Sequence, residues 1–239
     1  MQIVPHIRCV GGNLLHFLYP DCCHGCGQRL IGSEKFLCGD CLGRLTYTGY
    51  EKQPKNPLAA SMQSKIPIRG ASALLFFNKE GVIQKLLHEL KYQGQAEIGL
   101  FLGCLAGQLL QDTHPFCDAD YLVPVPMHPE KLKKRGYNQS QLIVQGMNAI
   151  MKKQIGLNFL IKQESTQSQT RKNRESRWKN IQGSFILNPS ILQKPEFHHR
   201  HFLVVDDVVT TGATSNSCCR ELLRIPGGQV SFFAIAHPD

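Results

Sequence analysis

Phe202-Leu-Val-Val-Asp-Asp-Val-Val-Thr-Thr-Gly-Ala-Thr214 is the stretch that decides the fold. Its first four residues are apolar without alternation, as in a strand covered on both faces. The run gives out into two adjacent acids, Asp206 and Asp207. In open α/β sheets ligands dock at the carboxyl ends of strands, where carboxylates accept hydrogen bonds from vicinal hydroxyls. Asp206 and Asp207 are therefore the catalytic candidates, since either can also exchange a proton with a bound substrate. The turn Thr210, Thr211, Gly212, Ala213 and Thr214 leads into a helix over 214–224. The free N–H groups and positive dipole end of that helix suit a phosphate. Gly212 allows close backbone approach, and Thr211 and Thr214 add hydroxyl donors. The competing reading is a surface strand–turn–helix with Thr214 as N-cap. Against it, adjacent carboxylates ending an apolar strand repel each other unless a ligand or metal intervenes. The stretch lacks the Gly-Lys-Ser/Thr ending of a P-loop and the GxGxxG of a dinucleotide site.

Outward from this turn, strands and helices alternate. Strands are expected at 71–77, 121–125, 202–205 and 230–236, with weaker ones at 157–161 and 184–187. Helices are expected at 79–92, where Val82, Ile83, Leu86, Leu87 and Leu90 recur at helical spacing, and at 96–111 and 138–152. This alternation argues for an α/β fold with a mostly parallel sheet flanked by helices. The domain so defined spans 70–239. It follows a proline-punctuated linker at 51–69 and a cysteine-bearing module at 1–50.

The strand at 121–125 runs into Pro124 and Pro126, which fix an extended exit around Val125. A basic loop follows. The formal charge of +9 comes from 27 Lys and Arg against 18 Asp and Glu. It is matched by two clusters: Lys131, Lys133, Lys134 and Arg135, and Arg171, Lys172, Arg174, Arg177 and Lys179. Such local fields favour diphosphates, nucleotides or nucleic acid, although basic loops can also be merely solvated. Asn138 and Gln139 add neutral donors. Trp178, inside the second cluster, suits base stacking or partial core burial. His198, His199 and His201 precede the key strand and read as solvated loop residues.

Of the ten cysteines, four form Cys23-x2-Cys26 and Cys38-x2-Cys41. Two matched pairs eleven residues apart are a zinc pattern, each pair supplying half a tetrahedron of thiolates. Cys22 or His24 can be considered as substitutes, but His24 lies inside the knuckle. With all four positions filled by protein, the zinc is structural, and it supplies folding free energy to a module with little core.

These motifs resemble known families. VVDDVVTTGAT resembles the phosphoribosyl-diphosphate (PRPP) motif of type I phosphoribosyltransferases. Leu122-Val-Pro-Val-Pro-Met-His-Pro with Arg135-Gly-Tyr-Asn-Gln139 resembles the ComF/GntX family of competence-type proteins. That likeness extends to Lys91-Tyr92, to Gln169, Arg177, Asn180, Gly183 and Phe185, and to the paired CxxC as a zinc ribbon. Lys172 departs from the leucine frequent in the family.

The resemblance implies a type I phosphoribosyltransferase-like domain in which Asp206 and Asp207 hold the ribose hydroxyls and 210–214 the 5′-phosphate. Val125, Lys134 and Arg135 would lie in the pyrophosphate loop, with Mg²⁺ accompanying PRPP and 165–180 as a closing loop. It implies a role in DNA uptake through single-stranded DNA or nucleotides, with DNA-uptake machinery as partner. Pentosyl transfer to an acceptor is the alternative. No apolar run approaches the roughly 20 residues that cross a bilayer. Arg8 is followed by Gly11, Gly12 and Asn13, a poor signal peptide, so a cytoplasmic location without membrane insertion is expected.

Overall fold

The computed structural model describes residues 21–77, 81–163 and 185–238. The chain divides into two compact units, Met1–Leu45 and Thr46–Asp239.

In the first unit, a short helix α1 (Gly39–Gly43) follows two tight turns. Among the unit's described residues, 21–45, the buried apolar side chains are few: Leu37, Leu45 and the thiols of Cys23, Cys38 and Cys41.

The second unit is built on a five-stranded sheet. Its strands are β1 (Gly70–Phe77), β2 (Tyr121–Pro124), β3 (Gln154–Ile155), β6 (His201–Val208) and β7 (Gln229–Pro238). Their order is β1-β7-β6-β2-β3, and every pairing is parallel. The weaker strands separate from it. β4 (Leu160–Lys162) and β5 (Phe185–Leu187) form their own antiparallel pair.

Both faces of the main sheet are covered, which is why the central strands carry no polar face. On one face lie α2 (Pro57–Gln63), α8 (Ala213–Leu222) and the β4–β5 pair. On the other lie α3 (Val82–Tyr92), α4 (Glu97–Leu110) and α6 (Gln139–Met151). Two shorter helices, α5 (Pro129–Arg135) and α7 (Pro189–Leu192), sit in connections.

Residues 51–69, expected as a linker, are ordered against the core. Asn56 caps α2 by accepting from the Ala59 N–H at 2.8 Å, Pro57 occupies the first helical position, and Leu58, Ala59, Met62, Ile66 and Ile68 are buried. Pro57 starts a helix here rather than loosening the chain.

The tightest helix contact is between α4 and α6. Gly99, Gly103 and Gly107 recur every fourth residue on α4 and face Leu142, Gly146 and Met147 of α6 in turn. A methyl group on Gly103 would strike the Ile143 carbonyl and stand 2.9 Å from the Gly146 Cα. The backbones approach directly, and this buttresses the sheet behind β2 and β6.

Candidate functional site

β6 runs further than its apolar residues. It stays in register with β7 through Asp206↔Ala234 and Val208↔Ala236, so both acids lie within the strand at its carboxyl end, Asp206 on a ladder position. Asp206 Oδ1 accepts from Ser140 Oγ at 3.1 Å and from the Asp207 N–H at 2.9 Å. Asp207 Oδ2 lies 2.8 Å from Lys91 Nζ on α3. Burial, reinforced by the charge of Asp207, pushes the Asp206 carboxyl up to about 7 despite those hydrogen bonds and Lys91. One acid of the pair therefore holds a proton through much of the neutral range.

Beyond the acids the chain turns at Gly212 (φ 70°), which caps α8, so the competing reading with Thr214 as the cap does not hold. A left-handed N-cap has little cost only for glycine. Thr214 lines the cavity in front of Asp206 and Asp207; Thr210 and Thr211 are exposed, and Gly212 is buried.

The opposite wall descends from β2. Val125 donates its N–H to Val205 O at 2.9 Å and accepts from Asn138 Nδ2 at 3.0 Å, so the two-proline exit is pinned to the start of α6. The expected basic loop is mostly helix. His128 caps α5 by accepting from the Glu130 N–H at 3.3 Å, Pro129 starts the helix, and Gly136 ends it left-handed at φ 81°. This winds Lys131 and Arg135 onto the cavity. Arg135 also donates to Gln139 Oε1 at 3.0 Å. The buried Gln139 Nε2 finds no partner among the described residues.

The result is a cavity of about 270 Å³ whose carboxylates face Lys91, Lys131, Arg135 and Lys162. Lys162 comes from β4, with its ammonium 4.9 Å from the Phe185 ring centroid. Burial, then the charge of Lys131, lowers its pKa. A second cavity of about 430 Å³ adjoins through Lys91, Tyr92, Lys131 and Arg135 and adds Lys134 and Tyr137. Lys134 thus lines the neighbouring cavity, not the one holding the acids. The Arg135 guanidinium lies 5.2 Å from the centroid of the exposed Tyr92 ring.

In the first unit, the thiols of Cys23, Cys26, Cys38 and Cys41 gather within 4.8 Å of one another, with Cys26 and Cys38 Sγ 3.7 Å apart. Cys22 and His24 are not part of the cluster. Although burial opposes ionisation of Cys23, backbone N–H groups including those of Cys26 and Cys38 outweigh it and bring its pKa down to about 6. Burial and the neighbouring thiols push Cys41 up to about 12. Four thiols this close shed their protons together only around a cation, and this donor set fits zinc in a closed, structural site.

No family model matches the chain. Across 238 residues, 97% of each chain, it is 29% identical to Competence protein F of Haemophilus influenzae. The chain is a homologue of competence protein F. It is also 29% identical over 147 residues to the DNA utilization protein YhgH of Escherichia coli K12, covering 59% of this chain and 61% of that one. Among solved structures it is similar to adenine phosphoribosyltransferase from Leishmania tarentolae, with TM-score 0.38 and 10% identity over 81% of this chain and 94% of that one.

In this competence protein F homologue the structure brings Val125, Arg135, Asp206, Asp207 and Thr214 to one cavity. The motif reading passed over Ser140, His128 and Lys162. Ser140 was findable as the residue two after an N-capping asparagine, whereas Lys162 reaches the site only through tertiary pairing of β4 with β5. His201 is no loop histidine: it opens β6, is 3% exposed and bonds Ser231 Oγ through Nε2 at 2.9 Å. The 165–180 loop, the basic cluster at 171–179, Trp178, Gln169, Asn180 and Gly183 lie outside the described residues. Among the described residues no helix is long and apolar enough to cross a membrane.

Proposed function

We propose that the cavity binds the 5-phosphoribosyl group of PRPP or of a nucleotide, and that the chain serves DNA utilisation during competence by holding nucleotides or single-stranded DNA. The observation that carries this reading is the pair Asp206–Asp207, on the carboxyl end of a parallel strand, facing four cationic side chains across a cavity that α8 enters by its N-terminus. The acids accept the ribose hydroxyls, and the turn 210–214 with the first N–H groups of α8 receives the 5′-phosphate. Lys131 and Arg135 meet the diphosphate, with Mg²⁺ arriving on it as part of the substrate. The adjoining cavity, with Tyr92 beside Lys134 and Arg135, extends the same cationic surface toward a second nucleotide unit.

A transferase reading has its own support in Asp206, whose pKa near 7 suits proton transfer at neutral pH. In that reaction an acceptor nitrogen bonds to C1′ of PRPP as the C1′–O bond breaks. Diphosphate leaves with Mg²⁺, and the acceptor's proton passes to the Asp206 carboxylate.

Titration calorimetry with PRPP, with and without Mg²⁺, tests the pocket. Wild type binds in a Mg²⁺-dependent manner, and Asp207→Ala weakens binding by about ten-fold or more. Equal affinity in the two proteins, or no binding, ends this reading. Single-stranded DNA is the second arm. Its affinity falls steeply with salt and on neutralising the basic residues of 171–179, while Asp206→Ala barely changes it. Diphosphate release that is lost in Asp206→Ala selects the transferase.

A further inference from the structure

At the amino-terminal edge of the sheet, opposite the acidic cavity, a tight turn over Phe116–Asp118 carries three donors of different chemistry. His114 Nδ1, Cys117 Sγ and Asp118 Oδ1 form a triangle. The imidazole–thiol edge is 3.4 Å, the thiol–carboxylate edge 3.7 Å, and the imidazole–carboxylate edge 2.8 Å.

Around a tetrahedral zinc ion with ordinary bond lengths, nitrogen, sulfur and oxygen ligands stand about 3.4–3.6 Å from one another. Both edges to sulfur already match. The third is a hydrogen bond, which opens by about 0.6 Å when an ion replaces the shared proton.

The surroundings hold two of the donors, Cys117 and Asp118, from behind, while His114 stays on the surface. Phe116, 2% exposed, anchors the turn in the core, and the Cys117 N–H is held by Thr113 O at 3.0 Å. Arg69 takes the other carboxylate oxygen, Asp118 Oδ2, at 3.3 Å and leaves Oδ1 to the triangle. Lys153 donates to the Cys117 carbonyl at 2.8 Å, and its charge opposes in part the burial and the Asp118 carboxylate that hold the thiol's pKa up. Such outer partners orient ligands in metal sites.

We propose that His114, Cys117 and Asp118 bind a borderline-soft divalent cation, zinc foremost, with water in the fourth position. Imidazole, thiolate and carboxylate are the mixed donors that zinc accepts, whereas magnesium and calcium require oxygen. On binding, the Cys117 thiol gives its proton to solvent and its sulfur to the ion. The thiolate and carboxylate then neutralise the ion's two charges. With one position open to solvent, this site differs in kind from the closed four-cysteine cluster, and its far-edge location separates it from the acidic cavity.

The test is the zinc stoichiometry of the full chain after equilibrium dialysis against micromolar free zinc, in wild type, Cys117→Ser and His114→Ala. His114 is on the surface, so its variant folds even if Cys117→Ser does not. Wild type carries one zinc more than either variant. Equal stoichiometry in wild type and in His114→Ala reduces the triangle to an ion pair beside a thiol and overturns the proposal. Substituting cobalt gives a second readout: a thiolate-to-metal absorption that His114→Ala shifts or loses. Spectra identical in wild type and His114→Ala also overturn it.

Discussion

Lys91 Nζ stands 2.8 Å from Asp207 Oδ2, so a cation from α3 closes over the acids that terminate β6. Lys91 acts through its charge on Asp206 as well, opposing the burial and the Asp207 charge that raise that carboxyl to about 7. Lys91→Met removes the opposing charge. Asp206 then titrates at a still higher pH, which carbon NMR of the aspartate carboxyls reads directly. A downward move, or none, contradicts the arrangement.

Asp206 also costs the unliganded protein stability. Its ordinary pKa of 3.8 rises to about 7 on folding, so the folded state holds a proton that the unfolded state has lost between those values. The penalty grows as pH rises through that window and is complete above it. Asp206→Asn keeps an oxygen to accept from Ser140 and from the Asp207 N–H. We expect it to stabilise the protein by up to roughly 4 kcal/mol at pH 8, with the gain nearly vanishing near pH 4, as measured by urea unfolding at both.

The α4–α6 contact leaves no space for side chains at its centre. Gly146→Ala would drive a methyl group into the Leu100 carbonyl and to 2.9 Å from the Gly103 Cα. The helices must separate, at a cost of about 1–3 kcal/mol or more. Gly136→Ala meets no atom within 4 Å; its cost is the smaller strain of a left-handed residue, and thermal melting separates the two.

Much of this was legible in the residues because it rests on local pattern. The apolar run before Asp206 marked β6, the paired prolines marked the exit of β2, and the CxxC spacing marked the thiol cluster. What escaped depends on partners distant in sequence. β6 continues through Asp206, Asp207 and Val208 because β7 offers ladder partners to Asp206 and Val208, which no property of two aspartates announces. Lys134, indistinguishable in sequence from Lys131 and Arg135, lines only the neighbouring cavity, because on the helix α5 adjacent residues point about 100° apart while Lys131 and Arg135, four apart, share a face. His-Pro before the basic run and Gly136 after it were start and stop signals for that helix, hidden by reading the run for charge alone.

The four-cysteine cluster has a separable consequence. Among the described residues of the first unit, 21–45, few apolar groups are buried besides the thiols, so we expect its order to depend on a bound ion. Cys41→Ser, or chelation, is expected to abolish hydrogen-exchange protection across 21–45 while α4 and α6 keep theirs. Because Cys41 must lose a proton it otherwise holds up to about pH 12, metal affinity tightens as pH rises.

His201 makes the protein sensitive to acid with a sign opposite to that of Asp206. Burial, then the charge of Arg69, lowers its pKa from 6.5 to about 4, so it is neutral beside Ser231 when folded. Above 6.5 neither state is protonated and His201 adds no pH dependence. As pH falls from 6.5 toward 4 the unfolded state takes up the proton first, and stability is lost across that window. Over the same range falling pH relieves Asp206, so the wild-type profile conceals both. His201→Gln retains a donor for Ser231 and cannot titrate. Its unfolding free energy should therefore rise, relative to wild type, by on the order of 2 kcal/mol as pH drops from 7 to 4. In an Asp206→Asn background, where the compensating group is gone, the acid loss due to His201 should stand exposed as a steeper slope in urea unfolding. An acid slope in Asp206→Asn that adding His201→Gln leaves unchanged would mean that His201 is not the group being protonated.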